Sequence, residues 1–160
     1  MIYHGIFSSI MQYASHIWGQ GSGIASAIEK LQFKAIRIIN FEKTAPLDFL
    51  FLNCKILKFS DGIKLQNFLF AHDTLKGNVP TKLCNWLNFI DAKYVKQNPL
   101  HLVVPKIRTV TCGENSIRYK ASKIWNEIVT KYSSINLNFV RKNRQQCKKI
   151  LIKHFLSTYC

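Results

Sequence analysis

The stretch that decides the fold runs from residue 24 to residue 39 and reads IASAIEKLQFKAIRII. Its apolar residues return every three or four positions, which is the period of an α-helix and not of a β-strand. Lys30, Lys34 and Arg37 return with the same period on another side of the same cylinder. The stretch therefore predicts an amphipathic helix. Its apolar side carries Ile24, Ile28, Leu31, Ala35, Ile38 and Ile39.

The residues before this helix predict another helix packed antiparallel to it. Tyr3, Ile6, Ile10, Tyr13 and Ile17 form an apolar row with spacings of three and four. The sequence GQGSG at residues 19–23 then interrupts the helical pattern. Two antiparallel helices joined by a short turn are the expected result.

The rest of the chain alternates helical patterns with helix breakers. A short helix is expected after Pro46, a long one from residues 60–61 to the breakers at 77–80, and a short one over residues 81–89. Residues 91–113 contain alternating apolar side chains and Pro105, which predicts extended chain or a small β-ribbon. Helical periods return after Gly113, with Asn115 or Ser116 as the N-cap, and again over roughly residues 136–158.

These patterns predict a mainly all-α fold. We expect a bundle of about five to six helices, with a short extended or β-ribbon segment near residues 98–112. A packed core is expected because 48% of the residues are apolar and 11 are phenylalanine. The chain is expected to divide into a helical bundle at residues 1–90 and a basic region at 91–160, which holds the extended segment and two helices.

Positive charge is the strongest compositional signal. The chain has 23 Lys and Arg against 8 Asp and Glu, a formal net charge of +15. Residues 1–90 contribute 9 − 5 = +4, and residues 91–160 contribute 14 − 3 = +11. A field of this sign favours polyanions, with nucleic acid first and an anionic membrane second.

Fourteen basic residues are candidates for binding nucleic acid, because they fall on predicted polar helix faces or on the predicted extended segment. Solvated helix faces are the alternative interpretation of the same cations. The candidates are Lys30, Lys34, Arg37, Lys106, Arg108, Arg118, Lys120, Lys123, Arg141, Lys142, Arg144, Lys148, Lys149 and Lys153.

The sequence contains no catalytic or metal-binding pattern. None of its eight acidic residues is adjacent to another, and its five histidines form no zinc-binding pair. The five cysteines are far apart with no CxxC, which favours reduced thiols in an intracellular protein. No phosphate-binding glycine loop occurs either. We therefore expect no cofactor, no metal, no small-molecule substrate and no catalytic residue.

Two further sets of residues have mainly structural interpretations. Residues 1–28 lack charge but contain polar residues and glycines, so neither a membrane span nor a signal peptide is expected. Trp18, Trp86 and Trp125 lie on predicted apolar stripes or helix anchors. Packing in a core is therefore favoured over stacking on nucleic-acid bases.

Several short motifs follow one another in a fixed order along the chain. They are Tyr13…Trp18-Gly19, Lys30-Leu31-Gln32…Ala35-Ile36-Arg37-Ile38-Ile39, Pro46-Leu47…Leu52…Ile56-Leu57, Lys64-Leu65, Arg108-Thr109…Gly113…Asn115-Ser116-Ile117-Arg118-Tyr119…Trp125-Asn126, and the lysine-rich Phe139–Tyr159. This order resembles the C-terminal region of reverse transcriptases from LINE-type, jockey-like non-LTR retrotransposons. Ala14 stands where that family usually has Gly, and Glu127-Ile128-Val129 stands where it has Leu-Pro.

The resemblance implies a part of an RNA-directed DNA polymerase. The first region would correspond to a thumb-like bundle and the second to the segment beyond it, both contacting a template–primer duplex of RNA or DNA. The catalytic Asp-Asp palm of the family is absent from this sequence, so the chain alone is not expected to be an enzyme. An intracellular location, nuclear or cytoplasmic, follows if the resemblance holds.

Three other functions remain open from the residues alone. A helical interaction module would dock a missing partner domain, such as the polymerase palm, through apolar rows like Tyr3–Ile17. An anionic-membrane binder would use the basic helix expected at residues 136–158, although no membrane partner is favoured. A free-standing enzyme is the weakest alternative, because no residue pattern supports it.

Overall fold

The computed structural model describes residues 3–13, 15–19, 21–42, 44–91, 100–133 and 139–159. A π-helical turn covers Tyr3–Ser8, and a 3-10 turn covers Thr81–Leu83. The α-helices are α1 (Ser9–Gln12), α2 (Ser15–Trp18), α3 (Ser22–Asn40), α4 (Leu47–Cys54), α5 (Phe59–Leu75), α6 (Val110–Gly113), α7 (Ile117–Ser133) and α8 (Arg144–Ser157). The mainly all-α prediction is confirmed, and five helices of eight or more residues occur in the described part of the chain.

The chain forms two compact units. The first contains Met1–Leu65 and Lys149–Cys160, and the second contains Gln66–Lys148. This division differs from the boundary at residue 90 that the change in charge suggests. Composition shows where the density of basic residues rises along the chain, whereas the units are defined by which residues lie close together in space.

The core of the first unit is built from α3, α4 and the C-terminal residues. Ile36, Leu50 and Phe51 are buried there, and Tyr159 packs against Phe51 with ring centroids 6.3 Å apart. The Tyr159 hydroxyl accepts a hydrogen bond from the Lys58 backbone N–H at 3.0 Å and donates one to Asp61 at 2.7 Å. The C-terminal tyrosine is therefore part of the first unit's core.

Helix α3 turns a different side toward this core than its apolar row suggests. Gln32 is only 3% exposed, and Ile36 beside it is completely buried. The Gln32 amide donates to the Tyr3 hydroxyl and the Leu57 carbonyl, and its oxygen accepts from the Phe59 backbone N–H, each at 2.8 Å. The buried side of α3 is thus centred on a glutamine that makes three hydrogen bonds.

The N-terminal helix is shorter and more broken than predicted. Tyr3 is buried, but the other described members of its apolar row, Ile10, Tyr13 and Ile17, are exposed. The predicted break is confirmed, because Gly19 ends α2 and α3 begins at Ser22. A Cβ at Gly19 would lie 2.6 Å from the Ser15 carbonyl oxygen, so the close packing there requires glycine.

Aromatic packing forms the core of the second unit. Phe68 of α5 stacks on Trp125 of α7, with centroids 4.8 Å apart and an interplanar angle of 13°. Phe139 meets the edge of Phe68 at 5.2 Å and that of Tyr132 at 5.4 Å. These contacts join α5, α7 and the turn before α8.

The extended segment is present, with a minimal antiparallel pairing. Phe89 and Leu102 form an isolated bridge, flanked by backbone hydrogen bonds from Ile90 N–H to the His101 carbonyl and from Val103 N–H to the Asn88 carbonyl. The described residues contain no longer strand, and residues 92–99 of the predicted segment lie outside them. The segment ends at α6, a short helix that alternating side chains did not predict.

Two of the predicted helices have different bounds in the structure. Only Thr81–Leu83 is helical within residues 81–89. The last helix begins at Arg144, after a turn at residues 139–142, and residues 136–138 of the predicted helix lie outside the described residues. Its start is set by a capping box: the Gln146 N–H donates to the Asn143 side-chain oxygen at 2.9 Å, and the Asn143 N–H donates to the Gln146 side-chain oxygen at 3.2 Å.

Candidate nucleic-acid interface

Side-chain hydrogen bonds fasten the extended segment of the second unit to α7. The Asn126 side-chain oxygen accepts from the Leu102 N–H at 2.7 Å, and its amide donates to the Leu102 carbonyl at 2.9 Å. The Trp125 indole N–H donates to the Leu100 carbonyl at 2.9 Å. Asn126 thus takes the place of a neighbouring strand, and the segment is held in one position on α7.

Lys106 and Arg108 follow on this segment, on either side of an inward-facing residue. Ile107 packs so closely against Gly113 that a Cβ on the glycine would lie 2.9 Å from the Ile107 Cβ. The Lys106 and Arg108 side chains are both exposed. Because neighbouring side chains in extended chain point to opposite sides, the packing of Ile107 directs the two cations outward.

Three more candidates lie on the first half of α7. Arg118 and Lys123 are exposed, whereas Lys120 is half-buried. Burial lowers the pKa of the Lys120 amine, the carboxylate of Glu114 raises it, and the nearby charge of Lys123 lowers it. The net effect is a lowered pKa for Lys120, caused mainly by its burial.

Helix α8 does not carry all the cations that its sequence places on one face. Arg141 and Lys142 lie in the turn before the helix, because the capping box delays its start. Arg144 lies in the first turn, where its Nε donates to Asp73 Oδ2 at 2.8 Å. Arg141 and Lys142 therefore do not lie on a face of the basic helix that the sequence predicts over roughly residues 136–158.

A buried histidine fixes the turn that holds Arg141 and Lys142. His72 is 1% exposed, and its Nε2 lies 3.0 Å from the Lys142 carbonyl oxygen. Since that oxygen can only accept, Nε2 carries the hydrogen. The other ring nitrogen lies 3.6 Å from Asp73 Oδ1, the carboxylate that also binds Arg144. One histidine and one aspartate of α5 thus hold the start of α8.

The start of α8 carries a high density of positive charge. The amino-terminal end of a helix has a partial positive charge from its free N–H groups. Arg141, Lys142, Arg144 and Lys148 lie within or next to the first two turns, and all of them except the half-buried Lys142 are exposed. Such an arrangement is unfavourable for the protein alone and is stabilised by anions.

Lys149 and Lys153 belong to the first unit and are exposed on α8. They border a shallow depression whose other lining residues include Leu52, Ile152 and Leu156. Lys30, Lys34 and Arg37, also in the first unit, are exposed along α3. The fourteen candidates therefore occupy several surfaces.

The second unit carries most of the charge. Nine of the fourteen candidates lie in residues 66–148. With all basic and acidic residues counted, this unit has 14 − 4 = +10, against 9 − 4 = +5 for the first. Twelve of the fourteen candidates are exposed. Lys120 and Lys142 are the two half-buried ones.

No group of three or more His, Cys, Asp or Glu side chains suited to a metal ion occurs among the described residues. Within the same part of the chain, no helix has the length and apolar character needed to cross a bilayer. Asp48, Asp61 and Asp73 each pair with a lysine or arginine.

Sequence reasoning missed the residues that position the cations. Asn126 and His72 contact the backbone of Leu102 and Lys142, 24 and 70 positions away, and such contacts leave no periodic signal. Asn143 instead caps its own helix by bonding Gln146, which is a local signal of a different kind. Of the tryptophans, Trp125 is fully buried as expected, but Trp86 is 38% exposed, contrary to the expectation of core packing. The Trp18 side chain lies outside the described residues.

No protein-family model, no curated protein and no solved structure matches this chain.

Proposed function

We propose that this chain contacts nucleic acid through exposed cations, mainly those of the second unit. The observation that carries the proposal is the net charge of +10 on residues 66–148, with nine candidate cations there. Seven of these nine side chains are exposed. Exposed cations bind phosphates and release the counterions condensed on a nucleic acid, which supplies most of the affinity of sequence-independent binding.

The placement of the cations favours recognition of the phosphate backbone. They lie on the extended segment, on the first half of α7 and at the start of α8. Arg144 is paired with Asp73, so we expect it to position the start of α8 and to contribute less to binding than Arg141 or Lys148. Contacts of this kind set position and orientation and carry little information about base sequence.

We further propose that the chain is the thumb and post-thumb region of an RNA-directed DNA polymerase of the jockey-like, non-LTR retrotransposon type. The ordered motifs support this, together with a mainly helical fold. Trp125 and Asn126, which end the motif that begins at Arg108, also hold the extended segment. Catalysis would then reside in a palm domain with paired aspartates, and this chain would grip the template–primer duplex.

The test is the salt dependence of binding to an RNA–DNA hybrid of about 20 base pairs, measured by fluorescence anisotropy. If about five phosphates are contacted, the affinity falls roughly 100- to 500-fold between 50 and 200 mM salt. The triple substitution Arg118→Gln, Arg141→Gln and Lys148→Gln should weaken binding and reduce the slope by up to about 0.9 per cation.

The triple substitution Lys76→Gln, Lys82→Gln and Lys131→Gln is the matched control, because these three lysines are exposed in the same unit but are not candidates. It should leave the slope almost unchanged. A salt-independent affinity would refute the proposal, and so would equal losses in the triple variant and the control. Double-stranded DNA of the same length, measured alongside, shows which duplex is preferred.

A further inference from the structure

We propose that the exposed side of α3 is a docking surface for an acidic amphipathic helix of a partner protein. This goes beyond nucleic-acid contact and defines a surface for the alternative of a helical interaction module. The buried side of α3 is occupied by Gln32 and Ile36. Ile24, Leu31 and Ile38, spaced by seven residues, are instead 50%, 56% and 72% exposed.

These three residues form a continuous row along the helix. A spacing of seven brings side chains back to nearly the same side after two turns, and this is the repeat through which helices pack on one another. Phe41 directly follows the helix, and the distance from Ile24 to Phe41 along the helix axis is about 26 Å. Exposed apolar side chains that are gathered on one helix face, and not scattered singly, are typical of interaction sites.

Phe41 provides a second observation at the end of the helix. Its backbone has a left-handed conformation with φ of 52°, and its N–H closes the helix by bonding the Ile38 and Arg37 carbonyls. Glycine usually occupies such a position, because a side chain is strained there. The Phe41 side chain is nevertheless 94% exposed, so the benefit of a large aromatic ring depends on something that covers it.

The charge beside the row indicates the chemistry of the partner. Lys30, Lys34 and Arg37 are exposed on the same helix. Lys34 lies three residues after Leu31 and four before Ile38, so its side chain neighbours both on the helix surface. A partner with apolar residues against the row and carboxylates against the cations would satisfy both features.

Other occupants fit less well. A second copy of the chain would bring another net charge of +15 and its own row of cations. Nucleic acid would engage the cations but leave Leu31 and Ile38 uncovered. An acidic helix of about 18 residues matches the length, the apolar row and the charge together.

The test uses the full chain and a synthetic peptide of about 21 residues. The peptide has three heptads, and each heptad carries Leu at its two apolar positions and Glu at the positions beside them. One comparison peptide has Lys in place of Glu, and another has Ser in place of Leu. We expect the Glu–Leu peptide to bind, and each comparison peptide to bind at least about tenfold more weakly at about 150 mM salt.

Variants of the chain locate the surface. The double substitution Leu31→Gln and Ile38→Gln should weaken peptide binding at least about tenfold. Val103→Gln, at an equally exposed apolar residue of the second unit, should change it by less than about twofold. Lys30→Gln with Lys34→Gln should weaken peptide binding by a larger factor than it weakens binding of the RNA–DNA hybrid, because most of the candidate cations for the hybrid lie in the second unit.

Four results would overturn this inference. The first is that the Leu31 and Ile38 substitutions leave peptide affinity unchanged, and the second is that the Lys-containing peptide binds equally well. The third is that the Lys30 and Lys34 variant loses as much affinity for the hybrid as for the peptide. The fourth is that the chain associates with itself and the substitutions at Leu31 and Ile38 abolish this association. The second unit's cations are unchanged in all of these variants. Failure of this inference therefore leaves the proposed nucleic-acid binding to be judged by its own salt dependence.

Discussion

Replacement of Gln32 by alanine should destabilise the first unit more than replacement of its apolar neighbour Leu31. Gln32 makes three hydrogen bonds of 2.8 Å in a nearly closed site. Each lost hydrogen bond costs about 1 kcal/mol, and the substitution leaves buried polar groups without a partner. Gln32→Ala should therefore lower the free energy of unfolding by about 3 kcal/mol. Leu31 is 56% exposed, so Leu31→Ala should cost no more than about 1 kcal/mol.

The difference is measured by urea unfolding followed by circular dichroism. Gln32→Leu keeps most of the side-chain volume and removes the hydrogen bonds, so it separates the two contributions. Hydrogen exchange at the Phe59 amide gives a local measurement, because its N–H donates to Gln32 and should exchange faster in either Gln32 variant. If Leu31→Ala lowers the free energy of unfolding more than Gln32→Ala does, α3 turns its apolar row toward the core. The proposed docking surface on that row would then be buried.

Two further predictions concern the start of α8 and the buried tyrosines. Gln146→Ala removes one half of the capping box, the bond from the Asn143 N–H to the Gln146 side-chain oxygen, and should lower the free energy of unfolding by about 1 kcal/mol. Gln145→Ala, at an exposed neighbour, should change the free energy of unfolding by less than about 0.5 kcal/mol; thermal or urea unfolding measures both. Burial, and then the hydrogen bond to Asp61, raise the pKa of Tyr159. The folded chain keeps that proton at a pH where the unfolded chain loses it, so stability is fully present below pH about 10 and falls above it. Urea unfolding at successive alkaline pH values should show this fall, and a smaller one in Tyr159→Phe; equal slopes would contradict the assignment.

Helices and their ends were partly predictable because their signals are local. The glycines at residues 19–23, the breakers at residues 77–80 and the extended segment around Pro105 all interrupt helices as expected. The start of α8 was not found, because a helical wheel places Arg141 and Lys142 on a face whether or not the helix has begun. Asn143 and Gln146 carry the deciding signal, a reciprocal pair of side-chain bonds, and a strong run of cations beside them obscured it.

The candidate cations could be identified from the sequence, but their supports could not. Exposure of Lys106 and Arg108 follows from the packing of Ile107 between them, and Asn126 fixes the segment through the backbone of Leu102. The Asn126 contact joins residues 24 positions apart, and Ile107 packs against Gly113, which lies beyond the start of another element. Neither charge counts nor periodicity contain that information.

The sequence by itself determined a mainly helical chain with a strong excess of positive charge, because helical period and charge are properties of nearby residues. The tertiary structure alone decided which side of α3 faces inward. Periodicity gives the spacing of a helix's apolar side chains, but its rotation depends on the partners available. Here Gln32 forms one hydrogen bond each with the Leu57 carbonyl, the Phe59 N–H and the Tyr3 hydroxyl, and this rotation of the helix places Leu31 at the surface.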